Sequence, residues 1–530
     1  SAFMIEFCIC IGIPHGWIVG CLIFCRHGLL TGCFSNNQIN HMHKLDKLMT
    51  KPQNILYIMS DEHNPKMLGC YGHKQVQTPN LDKLAARGTR FTSHYTNSPI
   101  CIPARAAFAT GRYTHETGYW DNAMPYDGKV KGWGHRLQEE GMRVESIGKL
   151  HYLGEDLNTG FSKQHHPMHV MGGIGQVWGS VRDPLPNERP ARMLKKIGPG
   201  ETSYNKYDRL IADEACNWLK SAAEQKEQKP WVLYLGFVAP HFPLVVPEEF
   251  YNLYPLDSLP PRKLDLESGY LRHPWLQRMD DFSQIDRHLT PEQRLMAVAA
   301  YFGLCTFIDH QIGRVLDVLA SSGQEGSTRV IYTSDHGDNV GARAMWGKSN
   351  LYEETAGIPL IIAGEGVPEG KTSSTTTSLL DSYQTILDGV GLNETSDEQD
   401  LVGKSWFDLS SLVDDPDRIV FSEYHAAGSP TGAYMLRKGK YKFIYYVDYS
   451  PELYDLEIDP EETTNLADNI EYEKIVKEYE VLLRDICDPE AVDRQAKEDQ
   501  NILIQKFGGR EKALNMGTPG ATPVPGQNHE

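Results

Sequence analysis

The chain of 530 residues has no cysteine framework for disulfides. Of its ten cysteines, Cys8, Cys10, Cys21, Cys25 and Cys33 crowd the first 33 residues, and Cys70, Cys101, Cys216, Cys305 and Cys487 are scattered. That spacing excludes a small disulfide-stapled scaffold. Internal repeats and long low-complexity stretches are also missing, so a solenoid or array is excluded. Positive charge is short: 52 Lys and Arg against 70 Asp and Glu leave a net charge of −18. Nucleic acid and anionic membrane surfaces are poor partners for such a chain. An anionic ligand would have to be met by cations gathered locally. The length is ample for a large core and two domains.

No Lys or Arg precedes Arg26, and Glu6 stands where a secretory leader carries positive charge. Residues 1–34 are apolar enough to suggest a signal or anchor, and Leu30-Thr31-Gly32-Cys33 is similar to a bacterial lipoprotein cleavage box. Arg26 and His27 cut the apolar run below bilayer-spanning length. We read residues 1–48 as an upstream extension or targeting segment. Cytoplasmic location follows if the chain starts near Met49, and periplasmic or lipid-anchored location if residues 1–33 are a true signal.

The stretch Ser98–Arg112 organises the rest. Cys101 is expected to open a helix, with Pro103 in its first turn, an Ala-rich run to propagate it and Gly111 to stop it. Free N–H groups and the macrodipole attract anions there, and Arg105, four residues on, shares that face. Four apolar runs read as buried strands: 54–59, 143–148, 231–237 and 329–334. Each delivers polar residues at its carboxyl end, where open α/β sheets place their sites. These are Asp61 and Glu62, Lys149 and His151, His241, and Asp335 and His336. Helices are expected at 133–141, at 207–224 and from Pro291 to about Leu319. Residues 155–200 and 247–290 read as insertions, the first at the site rim. His165, His166 and His169 are assigned to that rim, since no other ligand type accompanies them. Tyr119, Trp120 and Asn122 could line a substrate pocket or pack as a loop.

Cys101-x-Pro103-x-Arg105 followed by Thr110-Gly111-Arg112 resembles the signature of type I sulfatases. Five further pieces follow in that family's order: Thr78-Pro79-Asn80-Leu81-Asp82, Gly148-Lys149-x-His151, Pro240-His241-x-Pro243, Ser334-Asp335-His336-Gly337, and Leu453–Pro460 with Thr464-Asn465-Leu466. The resemblance runs from about residue 52 to 485. It implies an alkaline phosphatase-like α/β fold, with a large, mostly parallel central sheet flanked by helices. A smaller C-terminal subdomain of antiparallel strands and a helix follows. The expected divisions are a catalytic domain at 49–415, an α+β subdomain at 416–515 and a flexible tail at 516–530. Three departures stand out. Glu62 replaces a second Asp, so Asp61 is the ligand carried over directly. Ala104 and His336 resemble the variants of choline sulfatases and phosphonate monoester hydrolases.

The resemblance implies hydrolysis of a sulfate monoester of a sugar, a choline-like alcohol or a phenol, releasing alcohol and inorganic sulfate. Cys101 would be oxidised to formylglycine by a formylglycine-generating or anaerobic maturation enzyme, and the aldehyde hydrate would be the nucleophile. A divalent metal would lie at Asp61 and Asp335, with Glu62, residue 101 and His336 as further ligands. Hard oxygen ligands suggest Ca²⁺, with Mg²⁺ or Mn²⁺ as alternatives. Arg105, Lys149 and Lys348 would neutralise sulfate charge, His151 would contact the ester, and His241 or Lys348 would protonate the leaving alcohol. Phosphonate monoester or phosphodiester hydrolysis on the same scaffold is the alternative, and a non-catalytic binder of sulfated glycans is a third reading. Oligomeric state is not legible.

Overall fold

The computed structural model describes residues 7–13, 16–25, 28–33, 52–187, 194–225, 229–518 and 520–526. Contacts divide the chain into residues 1–52 and 53–530. In the first unit, β1 (Phe7–Ile13), β2 (Gly16–Cys25) and β3 (Gly28–Cys33) form an antiparallel meander. The expected start near Met49 lies outside the described residues. Cys70, Cys101, Cys216, Cys305 and Cys487 are free thiols.

The second unit is built on an eight-stranded sheet. Its strands are β4 (Asn54–Asp61), β5 (Gly88–Phe91), β6 (Arg143–Lys149), β7 (Lys163–Met168), β8 (Trp231–Pro240), β9 (Thr328–Ser334), β10 (Leu360–Ala363) and β11 (Lys371–Ser373). Their order is β11-β5-β10-β9-β4-β8-β6-β7. The run β9-β4-β8-β6-β7 is parallel, and β10 runs against both its neighbours. Continuous burial along β4, β8 and β9 accounts for their unbroken apolar sequences.

Helices cover both faces. On one lie α2 (Ser203–Glu224) and α3 (Pro291–Ser321), packed through Ile211, Leu219, Ile308 and Ile312. The apolarity of α3, enough in length and composition to cross a membrane, is spent in this core. On the other lies α1 (Cys101–Thr110), whose Ala104, Ala106 and Phe108 pack with Tyr57, Tyr234 and Trp406. Gly111 ends α1 in the left-handed conformation at φ +67°, as its sequence position requires.

The C-terminal part forms a separate antiparallel sheet of β12 (Ile419–Tyr424), β13 (Ala433–Lys438), β14 (Tyr441–Tyr446) and β15 (Tyr449–Asp455). Helices α4 (Glu473–Ile486) and α5 (Pro489–Lys506) follow. Among the described residues of the tail, Thr518, Thr522 and Val524 are buried, Val524 within the main core cluster. The carbonyls of Met516, Thr518, Gly520 and Thr522 accept hydrogen bonds from the body.

Candidate active site

The sheet order places the site. Strands β9, β4, β8 and β6 are consecutive neighbours, with Ser334 in register with Ser60, Pro240 with Asp61 and Gly236 with Gly148. Their carboxyl ends therefore set Asp335, Asp61 with Glu62, His241 and Lys149 side by side. Gly148 makes the last turn at φ +95°, where a Cβ would lie 2.4 Å from the Gly236 carbonyl oxygen, so only glycine fits. Helix α1 then brings Cys101 over these ends. Asn122 Oδ1 accepts the Ile102 N–H at 3.1 Å, satisfying one of the helix's free donors.

Around Cys101 Sγ lie Lys348 Nζ at 3.1 Å, His336 Nε2 at 3.3 Å and Asp61 Oδ1 at 3.7 Å. Arg105 sits one turn deeper. It donates from Nη2 to Asp61 Oδ2 and from Nε to Asp335 Oδ2, both at 2.8 Å, and from Nη1 to Tyr234 and the Lys149 carbonyl. Four of its five N–H donors are thus committed to the protein. Sequence spacing predicts the shared face, but the depth of the second turn makes Arg105 a clamp on the two carboxylates. Lys149 Nζ lies 2.7 Å from Asp61 Oδ2. Lys348 Nζ lies 3.1 Å from Glu62 Oε2, and His241 Nε2 lies 3.3 Å from that same oxygen. The His241 Nδ1–H donates to the Phe242 carbonyl at 2.6 Å, leaving Nε2 toward the acids.

The donor set fits a divalent cation. Asp61, Cys101, Asp335 and His336 each offer one ligand atom, all within 4.8 Å of one another; Asp61, Glu62 and His241 form a second such group. Arg105 holds the Oδ2 of each aspartate, so the Oδ1 atoms face the remaining donors. His336 donates its Nδ1–H to the Gly337 carbonyl at 3.0 Å, which leaves the Nε2 lone pair free for a metal. Glu62 Oε1 is buried without a hydrogen-bond partner, as a carboxylate oxygen awaiting a cation would be. Burial pushes the Glu62 carboxyl up to about 8 despite Lys348, with Asp338 adding to the rise. For Asp61, burial is outweighed by Lys149, then His241, Arg105 and Lys348, and its pKa falls well below the carboxylate range. Burial, then Asp61, pushes the Cys101 thiol up to about 12, so an unmodified Cys101 carries almost no thiolate near neutrality. Burial and the Lys348 charge keep His241 well below the ordinary histidine value.

A cavity of about 140 Å³ opens from Cys101, Lys149, His151, His241 and Lys348. Its outer wall includes Asn122, from the loop read as pocket or packing, and Gln176 and Trp178, from the rim insertion. Met279 and Phe282 come from the second insertion. His165 instead lies between Glu145 Oε2 at 2.6 Å and Glu214 Oε1 at 3.2 Å. Those carboxylates come from β6 and α2, so sequence adjacency could not reveal them. Two features that strand ends do not predict also meet the site: Asp338, which accepts the Val340 N–H at 2.6 Å, and the tail, whose Gly520, Ala521 and Thr522 line the cavity. Asp338 follows Asp335 closely and ends no strand of its own, so no pattern marks it.

The family model described as Sulfatase matches residues 53–392, and one described as N-sulphoglucosamine sulphohydrolase, C-terminal, matches residues 341–488. The chain is 30% identical to a choline-sulfatase of Rhizobium meliloti (strain 1021) over 444 residues, covering 80% of this chain and 84% of that one. It is 30% identical to arylsulfatase K of Danio rerio over 461 residues, covering 83% and 85%. In fold it matches the phosphonate monoester hydrolase of Agrobacterium radiobacter with a TM-score of 0.67, at 23% identity over 84% of this chain and 96% of that one. The chain belongs to the sulfatase family and is a sulfuric ester hydrolase of the alkaline phosphatase-like fold.

Proposed function

We propose that this enzyme releases inorganic sulfate from a monoester at residue 101, with Asp61, Asp335, His336 and Glu62 holding a divalent metal, Ca²⁺ by the hardness of the carboxylates. The observation that carries the reading is the gathering of a helix-opening Cys101, two clamped aspartates, two lysines and two histidines at four neighbouring strand ends. The metal would supply Lewis-acid stabilisation of charge on the ester oxygens. Formylglycine at position 101 would supply a hydrated aldehyde as nucleophile, in place of a thiol whose burial suppresses ionisation.

The chain's own residues do the rest. Lys149 and Lys348 line the cavity and bring positive charge to the sulfate oxygens. Arg105 orients the carboxylates. The leaving alcohol takes its proton from His241 or Lys348, both beside Glu62; the sulfate's negative charge raises the His241 basicity when it enters. His241→Ala costing an alkyl sulfate about 10²–10⁴-fold more than nitrophenyl sulfate would assign His241; equal losses would assign Lys348.

Purified enzyme should turn over nitrophenyl sulfate faster than a phenyl phosphonate monoester, and Asp335→Ala should lose metal content and sulfate release together. Undiminished sulfate release after exhaustive chelation, or preferential phosphonate turnover, would overturn the reading.

A further inference from the structure

We propose that the C-terminal segment, residues 516–518 and 520–524, is the specificity-determining wall of the leaving-group pocket: it excludes alcohols larger than a single ring and, through Thr522, positions His151 for the ester. The proposal rests on the sulfatase reading and names the substrate class of that same site.

The segment is tied down along its length. The Trp178 backbone N–H donates to the Met516 carbonyl at 3.3 Å and its indole N–H to the Thr518 carbonyl at 2.8 Å. The Gln176 side-chain amide donates to the Gly520 carbonyl at 2.6 Å, and the Tyr204 hydroxyl donates to the Thr522 carbonyl. Gly517 turns at φ +92°, and a Cβ there would lie 2.1 Å from the Gly175 carbonyl oxygen. The backbone of the tail therefore rests directly on the backbone of the rim insertion, an approach open only to glycine.

Gly520, Ala521 and Thr522 line the cavity with Phe242, Met279, Phe282 and Trp346. At about 140 Å³, below the ~150 Å³ that holds a benzene-sized guest, the space has to take the sulfate end as well as the start of the leaving group, which leaves room for one ring at most. Aromatic rings (Trp178, Phe242, Phe282, Trp346) and polar side chains such as Asn122, Gln176, Ser283 and Ser349 share the lining, so the tail wall selects the alcohol by size rather than by charge. An alcohol no larger than one ring matches it.

Thr522 also reaches the ester end. Its Oγ1 is hydrogen-bonded to His151 Nε2 at 2.8 Å. His151 Nδ1 is buried without a partner, in a residue held at φ +61°. The bond commits Nε2 to the tail and leaves Nδ1 as the ring nitrogen available to a ligand. Thr522 is thus a positioning residue, acting through His151.

The test compares 4-nitrophenyl sulfate, with one ring, against 4-methylumbelliferyl sulfate, with two fused rings. The full-length enzyme is measured beside a chain ending at Asn515, Gly517→Val, Ala521→Trp, Thr522→Val and Thr522→Ser. Truncation and Gly517→Val should raise the bicyclic-to-monocyclic ratio of kcat/KM by about 10-fold or more, the scale on which pocket contacts discriminate. Ala521→Trp, which keeps the chain and adds bulk, should lower that ratio if the other two fail to fold. Thr522→Val should lower kcat on both esters and Thr522→Ser should restore it. A ratio unchanged in every folded variant, or Thr522→Ser no better than Thr522→Val, overturns the proposal while the sulfatase reading stands. Failure of the full-length enzyme to release sulfate from either ester overturns both.

Discussion

Arg105 is fully buried and makes four hydrogen bonds, two of them to carboxylates 61 and 335 that are themselves buried. A buried guanidinium is tolerated because each charge it meets is paired. Its fork spans two acids that would otherwise repel each other, and it turns their Oδ1 atoms toward the other candidate ligands, Asp335 Oδ1 also accepting the Glu62 and His336 backbone N–H groups. Lysine keeps the charge but cannot bridge in this way. Arg105→Lys should therefore lower metal affinity about 10–100-fold, the usual cost of losing an orienting partner of a ligand. Calorimetric titration of the metal-stripped protein reads this directly. A raised KM for the ester with metal affinity intact would instead return Arg105 to the sulfate, as the spacing of Cys101 and Arg105 first suggests.

Strand β12 and the Cys101 region are joined through Glu423. Its backbone N–H donates to the Asn97 carbonyl at 2.8 Å. Its carboxylate accepts the His115 backbone N–H at 3.0 Å and meets His115 Nδ1 at 2.9 Å and His425 Nε2 at 3.0 Å. Burial would raise its pKa, but His115 and then His425 outweigh this and hold it at about 2. A carboxyl depressed on folding contributes stability above its unfolded pKa, near 4.3, and loses that contribution as pH falls through its folded value. Between about pH 4.5 and 2 the protein should therefore lose on the order of 3 kcal/mol through this group. Urea unfolding across that window should show a shallower pH dependence for Glu423→Gln. Parallel curves for the two proteins would remove Glu423 from that role.

Across the whole molecule, what the sequence makes legible follows from local chemistry. Unbroken apolar runs specify buried parallel strands, and polar residues at their ends specify the site, so Asp61, Lys149, His241 and Asp335 could be named before any fold was known. Depth and long-range contact were not legible. Spacing cannot say that Arg105 lies beneath Cys101, and the Gly- and Pro-rich composition of the tail does not name the carbonyl acceptors of Thr518 and Gly520 or the close Gly517 approach that hold it against the rim. Thr522 and His151 meet across 371 positions of sequence. The central claim, that residue 101 is the reacting group of a sulfatase and reacts after oxidation, is tested most directly by mass spectrometry of the peptide carrying residue 101, in preparations made with and without a maturation enzyme. Sulfate release per protein should rise in proportion to the fraction of chains in which the thiol has become formylglycine. Full sulfate release from protein whose residue 101 is wholly unmodified cysteine would contradict the account.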